Sequence, residues 1–225
     1  MSESAAPLGI FGGTFDPLHV GHLRLAIEAR EALGLGEVRF VPAGNPPLRA
    51  APGTAAPDRL AMVERALAGV AGFAVDDAEV RAAADGRPSY TVDSLERLRR
   101  ALGPDRPLVL LLGADAFARL DAWHRWRDLF DLAHIAVATR AGHELKVGRG
   151  EAALDLEFRA RTGTAADLAT AASGRIVPFA ITALEVSASA LRETLRRGGD
   201  IRYLVPPAVL DYIESRQLYR TPHGH

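Results

Sequence analysis

The stretch Gly9 to His22, GIFGGTFDPLHVGH, brings glycines, a threonine, an aspartate and two histidines into one short span. Its order predicts a strand over Leu8 to Phe11, a tight turn at Gly12-Gly13 and a helix from Leu18 onward. A strand, a glycine turn and a helix N-terminus bring unpaired N–H groups and the positive end of a helix dipole to one point, and such a point binds phosphate. Two familiar phosphate loops do not fit. The dinucleotide fingerprint needs G-x-G-x-x-G, and the Walker loop needs Gly-Lys-Ser/Thr after four intervening residues. His19 and His22 lie three apart and would share a helix face, as zinc ligands do. With no cysteine and no local third ligand beyond Asp16, metal is the poorer reading. The remaining reading directs both imidazoles at the phosphates held by the glycine turn, where N–H donors can follow charge as it builds in a transition state.

Such a turn needs a sheet to carry it. Short, continuously apolar runs recur at Leu8 to Phe11, Val38 to Val41, Phe73 to Val75, Leu108 to Leu112, Ile135 to Ala138 and Ile176 to Phe179, as expected of strands buried on both faces. Helical patterns alternate with them. Leu23 and Ile27 with Ala26 and Ala29 follow the first strand; Leu60, Val63 and Leu67 follow Pro57-Asp58, with Asp58 the expected N-cap; Val92, Leu95, Leu98 and Leu102 form a stripe ended by Gly103-Pro104. The alternation predicts an α/β fold with a doubly wound parallel sheet, Rossmann-like, with right-handed crossovers. The proline-rich stretch 43–57 reads as a surface loop at the carboxyl edge of the second strand, where such sheets bind ligands. The expected organisation is a single domain over 1–225, with a peripheral insertion near 143–174 and a C-terminal helical segment over 187–219.

Composition bounds the partners. The chain has 225 residues, 27 basic against 28 acidic, and a formal net charge of -1. That balance argues against nucleic acid and against a membrane surface, which both favour a basic excess, so an anionic ligand must be held locally. The absence of cysteine excludes disulfides, thiolate metal sites and cysteine nucleophiles. With no secretory pattern at the start and no apolar run near the roughly 20 residues of a membrane span, a cytoplasmic setting is expected.

GGTFDPLHVGH resembles the T/H-x-G-H motif of the nucleotidylyltransferase superfamily, and the chain from Leu8 to about Tyr219 is similar to the bacterial nicotinate-nucleotide adenylyltransferases. VSASALR, Val186 to Arg192, is similar to that family's I-S-S-T-x-I-R motif. Two hydroxyls at a helix start, with an Arg one turn later, make a second anion cradle, here for the β- and γ-phosphates of ATP. Glu79 and Ser89-Tyr90-Thr91 resemble the family's E and S-Y-T elements, and Gly113-Ala114-Asp115 its G-A-D. Trp123 matches the aromatic that stacks on the pyridine ring, whereas Trp126 reads as core. Arg140 corresponds to the arginine near the adenine, and the closing YLVPPAVLDYIESRQLY reads as structural.

The resemblance implies transfer of the adenylyl group of ATP to nicotinate mononucleotide, giving nicotinate adenine dinucleotide and pyrophosphate, with Mg²⁺ travelling with ATP. His19, His22 and Arg192 would be catalytic. Gly12, Gly13, Thr14, His19, His22, Ser187, Ser189 and Arg192 would hold the ATP phosphates, and Gly113, Asp115 and Arg140 the adenosine end. Thr91, Trp123 and Arg49 would bind the mononucleotide. Where the family often has P-P-H-K, this chain has Pro46-Pro47-Leu48-Arg49; Arg49 keeps a cation able to fork onto phosphate, while Leu48 donates nothing. A phosphopantetheine adenylyltransferase and a nucleotide sensor without turnover are the rival readings. The strength of the acid-over-amide preference and the oligomeric state stay open, a homo-oligomer being compatible with the sequence.

Overall fold

The computed structural model describes residues 6–47, 52–140, 145, 147 and 150–220. Its strands are Leu8–Gly13 (β1), Glu37–Pro42 (β2), Phe73–Val75 (β3), Leu108–Gly113 (β4), His134–Arg140 (β5) and Ile176–Ile181 (β6). The helices are Val20–Ala32 (α1), Ala56–Leu67 (α2), Ala78–Ala83 (α3), Thr91–Leu102 (α4), Ala114–Phe117 (α5), Leu129–Leu132 (α6), Ala153–Arg161 (α7), Ala188–Arg196 (α8) and Pro207–Ser215 (α9). Each expected apolar run lies within a strand. All pairings in the sheet are parallel, in the order β3-β2-β1-β4-β5-β6.

This is the doubly wound α/β arrangement, and its order reverses between β1 and β4. β1 pairs with β2 along its whole length, Leu8↔Glu37 to Gly13↔Pro42. With β4 it pairs only from Leu8↔Leu108 to Ile10↔Leu110. Beyond that point the two strands part, and a crevice opens at the carboxyl edge, where open α/β sheets bind ligands.

β4 shows how both faces are buried. Leu108, Leu110 and Leu112 join a core with Val92, Leu95 and Leu98 of α4 and with Phe117 and Phe130. Val109 and Leu111, pointing the other way, join Phe40, Ala26 and Ala29 of α1 and Ala136. The period of two with apolar residues on both faces is the signature of a strand covered by helices on each side. A third cluster packs Met62 of α2 against Leu191, Ile201, Val205, Val209 and Ile213, docking α8 and α9 beside α2.

Three local expectations change. The first helix starts at Val20, with His19 as its N-cap, not at Leu18. Asp58 does not cap α2; Ala55 takes that position, and the Asp58 carboxylate accepts a 2.8 Å hydrogen bond from the Tyr212 hydroxyl of α9. Tertiary packing on α9 has claimed the side chain that local capping would use. Within 143–174 the described part holds α7 and a short 3₁₀ turn at Ala165–Ala169, and Leu154 and Leu168 are buried in the two main cores.

Candidate active site

At the end of β1 a Cβ placed on Gly12 would meet nothing within 4 Å, so the turn faces open space. The histidines follow directly. Their rings stack with centroids 3.7 Å apart and 26° between planes. His22 Nδ1 accepts the His19 backbone N–H at 3.2 Å. A neutral His22 therefore carries its proton on Nε2, as a donor. His19 is 6% exposed, its Nδ1 has no partner among the described residues, and burial lowers its pKa to about 4. Near neutral pH, His19 is an uncharged imidazole and not a base poised around 7.

That burial has a consequence for stability. A histidine with an ordinary pKa near 6.5 unfolded and about 4 folded binds more protons in the unfolded chain between those values, so stability is fully present above pH 6.5 and is lost as the pH falls toward 4. The full loss is roughly 3 kcal/mol. His134 is also depressed by burial, while its Nε2 bonds the Ala171 carbonyl and its Nδ1 accepts the Arg175 N–H, so it steepens the same slope. Urea unfolding at several pH values should show stability rising from pH 4 to 6.5. His19→Gln should flatten the slope without abolishing it, and an unchanged slope in that variant would refute a buried neutral His19.

Gly21, between the two histidines, lets the second motif approach. A Cβ there would lie 2.9 Å from Val186 Cγ1 and 3.1 Å from His19 Nδ1, inside van der Waals contact. Val186 precedes Ser187, the N-cap of α8, whose Oγ accepts the Ala190 N–H at 3.3 Å. Arg192 Nη1 donates to the Asp16 carbonyl at 2.6 Å and lies 3.8 Å from the Asp16 carboxylate, while Nη2 reaches Ser189 Oγ at 3.4 Å. Motifs at opposite ends of the chain thus form one cationic, hydroxyl-lined edge.

Asp16 is the knot that holds this edge. Its buried carboxylate accepts from Gly53 N–H at 2.6 Å, Thr54 Oγ at 2.7 Å and Tyr219 Oη at 2.7 Å. Burial and that carboxylate push the Tyr219 phenol upward, so it stays protonated as a donor. Tyr219, read from sequence as part of a structural ending, therefore braces the turn that follows β1. No spacing in the sequence could have linked residues 16 and 219.

On the other side of the glycine turn lies a cavity of about 360 Å³. Gly12, Gly13 and Thr14 line it together with Thr91, Trp123 and His124. The Tyr90 and His124 rings pack at a tilt of 33° with centroids 4.3 Å apart, and Arg119 also lines the space; neither His124 nor Arg119 carried a signal in the sequence. Glu79 borders the cavity. Burial raises its pKa against the lowering effect of hydrogen bonds from Ser94 and Ser89, the first at 2.6 Å. Ser89 Oγ in turn accepts the Gly44 and Asn45 N–H groups at 3.0 Å each. Trp126 is buried edge-on to Phe130, as its core reading expected.

Gly113, Asp115 and Arg140 sit outside that cavity, at the carboxyl ends of the adjacent strands β4 and β5. A Cβ on Gly113 would meet nothing within 4 Å, and Asp115 and Arg140 are exposed. The residues expected to bind ATP, apart from Gly12, Gly13 and Thr14, thus lie outside the cavity that contains Thr91 and Trp123. Leu48 and Arg49 lie outside the described residues. Among the described residues no group of three or more His, Asp or Glu side chains is placed to hold a metal ion, and no helix is long and apolar enough to cross a membrane.

A parted sheet edge carrying a glycine turn, paired imidazoles and a serine-arginine helix start defines a nucleotidyltransferase-type site, and residues 10–194 match the cytidylyltransferase-like family. Within it, the chain belongs to the nicotinate-nucleotide adenylyltransferases. It is 52% identical to the "Probable nicotinate-nucleotide adenylyltransferase" of Dechloromonas aromatica, over 98% of this chain and 99% of that one. A protein of the same name from Laribacter hongkongensis is 49% identical over 95% and 94%. The fold is shared with the Plasmodium falciparum nicotinic acid mononucleotide adenylyltransferase complexed with NaAD, at TM-score 0.68 and 18% identity over 95% of this chain and 97% of that one.

Proposed function

We propose that the chain transfers the adenylyl group of ATP to nicotinate mononucleotide, with the residues above in the following roles. The observation that carries the reading is the contiguity of the Trp123–Thr91 cavity with the Gly12–Thr14 turn, which leaves the imidazole and Arg192 edge for the polyphosphate. A flat pyridine ring suits a largely apolar pocket with an indole in its wall. The mononucleotide phosphate, with a second pKa of about 6, is already ionised near neutrality. Its oxygen attacks the α-phosphorus of ATP, a P–O bond forms, the α–β bridging bond breaks, and pyrophosphate leaves with the electron pair.

No general base is needed, which agrees with a His19 too acidic to serve as one. Positioning and charge stabilisation do the chemistry. His19 and His22 donate N–H groups to the ATP phosphates, and Ser187, Ser189 and Arg192 hold the leaving pyrophosphate. Asp115 and Arg140 face the adenosine, and Arg49 contacts the mononucleotide phosphate. Mg²⁺ entering with ATP would neutralise charge on the polyphosphate. A cytoplasmic setting, where ATP is available, suits the reaction.

Pyrophosphate release with ATP and a panel of phosphate monoesters tests the assignment. Nicotinate mononucleotide should give the highest kcat/KM; a preference for phosphopantetheine, or no turnover with any of them, would overturn it. Trp123→Ala should raise KM for the mononucleotide about tenfold, the 0.5–1.5 kcal/mol of an aromatic stack plus lost burial, with KM for ATP nearly unchanged. A variant altered only in ATP kinetics would mean the two ends of the site are assigned in reverse.

A further inference from the structure

Arg59 of α2 is 1% exposed, among the most buried large side chains in the molecule. Its Nη1 donates to the Thr14 carbonyl at 2.8 Å and its Nη2 to the Gly44 carbonyl at 3.0 Å. Nε is buried without a hydrogen-bond partner among the described residues. No carboxylate of the described residues forms an ion pair with it; Asp16 and Glu79 act on it only through space. A buried guanidinium held by neutral carbonyls is an expensive way to stabilise a fold, because desolvation of the charge is not offset by a contacting anion.

The two carbonyls explain why it is there. Thr14 ends the phosphate turn after β1, and Gly44 begins the loop after β2 that leads to Pro46 and Pro47; Gly13, Thr14, Pro46 and Pro47 all line the cavity. Gly44 is gripped from both sides, its N–H by Ser89 Oγ and its carbonyl by Arg59. Its lack of a side chain is required, since a Cβ would collide with the Glu79 carbonyl. A single planar fork thus ties the wall that receives ATP phosphates to the loop that borders the mononucleotide.

We infer that Arg59 is a positioning residue for adenylyl transfer: by holding the Thr14 and Gly44 carbonyls at a fixed separation it sets the two substrate-binding walls relative to each other. The inference rests on the proposed reaction for its substrates, but not on which mononucleotide is preferred. Arg99 supplies the control. It also caps backbone carbonyls with its guanidinium, those of Gly103, Pro104, Arg106, Leu132 and Ala172, yet at the amino edge of the sheet, away from the cleft. A lysine keeps charge but lacks the planar fork.

The experiment compares Arg59→Lys, Ser89→Ala and Arg99→Lys, each checked by circular dichroism and thermal unfolding and assayed well below its Tm with the mononucleotide the wild type turns over best. Arg59→Lys is expected to lose tenfold or more in kcat and to raise KM for both substrates. Ser89→Ala, which frees the N–H side of Gly44 together with the Asn45 N–H and removes the hydrogen bond to Glu79, should show a smaller loss of the same kind. Arg99→Lys should lower Tm with kcat and both KM values within twofold of wild type. Arg59→Lys with wild-type kinetics and only a lowered Tm, matching Arg99→Lys, would overturn the inference. Should Arg59→Lys fail to fold, Ser89→Ala decides, and wild-type kinetics there overturns it. A wild type with no turnover on any mononucleotide would instead count against the proposed reaction.

Discussion

Replacing His22 by alanine is expected to lower kcat by about a hundredfold or more, with a distinctly smaller loss of ATP affinity. The size follows from deleting one preorganised donor aimed at developing charge, which costs about 2.7–4 kcal/mol in comparable sites. The split between kcat and binding follows from how the ring is held. His22 Nδ1 accepts the His19 N–H and its ring stacks on His19, so the Nε2 proton is oriented before substrate arrives and needs no reorganisation as charge builds. The substitution also strips an acceptor from the start of α1, a stability cost of about 1 kcal/mol, so thermal unfolding should accompany the kinetics. Steady-state kinetics with binding of a non-hydrolysable ATP analogue gives the test. Equal losses in affinity and kcat would reduce the histidine to a ground-state phosphate cradle.

Arg192→Lys is expected to cost about a hundredfold in kcat/KM for ATP while leaving KM for the mononucleotide within a fewfold. The side chain touches both the Asp16 carbonyl, at 2.6 Å, and Ser189, so it occupies the seam between the two motifs. Lysine keeps the charge, but its three donors sit on one nitrogen and lack the planar, spread fork that lets a guanidinium bridge that carbonyl and a phosphate oxygen. A charge-assisted hydrogen bond is worth about 1.5–3 kcal/mol, and losing both the phosphate fork and its alignment reaches the upper part of that range. Arg192→Ala should be worse, because the Asp16 carbonyl then loses its partner too. Pyrophosphate inhibition provides an independent reading: its binding should weaken in parallel if Arg192 holds the leaving group. Unchanged pyrophosphate affinity in both variants would move Arg192 out of that role and leave it a brace for Asp16.

The sequence by itself determined the class of fold and the strand, turn and helix starts of its two motifs, for a local reason. A strand covered by helices on both faces must be apolar at every position, so Leu108 to Leu112 could be read as β4 without knowing its neighbours. The Gly12–His22 and Ser187–Arg192 motifs are contiguous, so strand, turn and helix start could be inferred from adjacent residues. The order β3-β2-β1-β4-β5-β6 and the parting of β1 from β4 after Ile10 could not, because pairing depends on partners far along the chain. The same separation hid the supports of the site. Asp58 looked like a cap and was claimed by Tyr212; Arg59 carried no signal in the sequence and is buried against Thr14, 45 residues away; Tyr219 reached Asp16 across 203 residues. Local chemistry leaves a pattern in the sequence because neighbouring residues must satisfy it together. A buried polar contact leaves none, since only the folded chain selects which distant donor meets which acceptor.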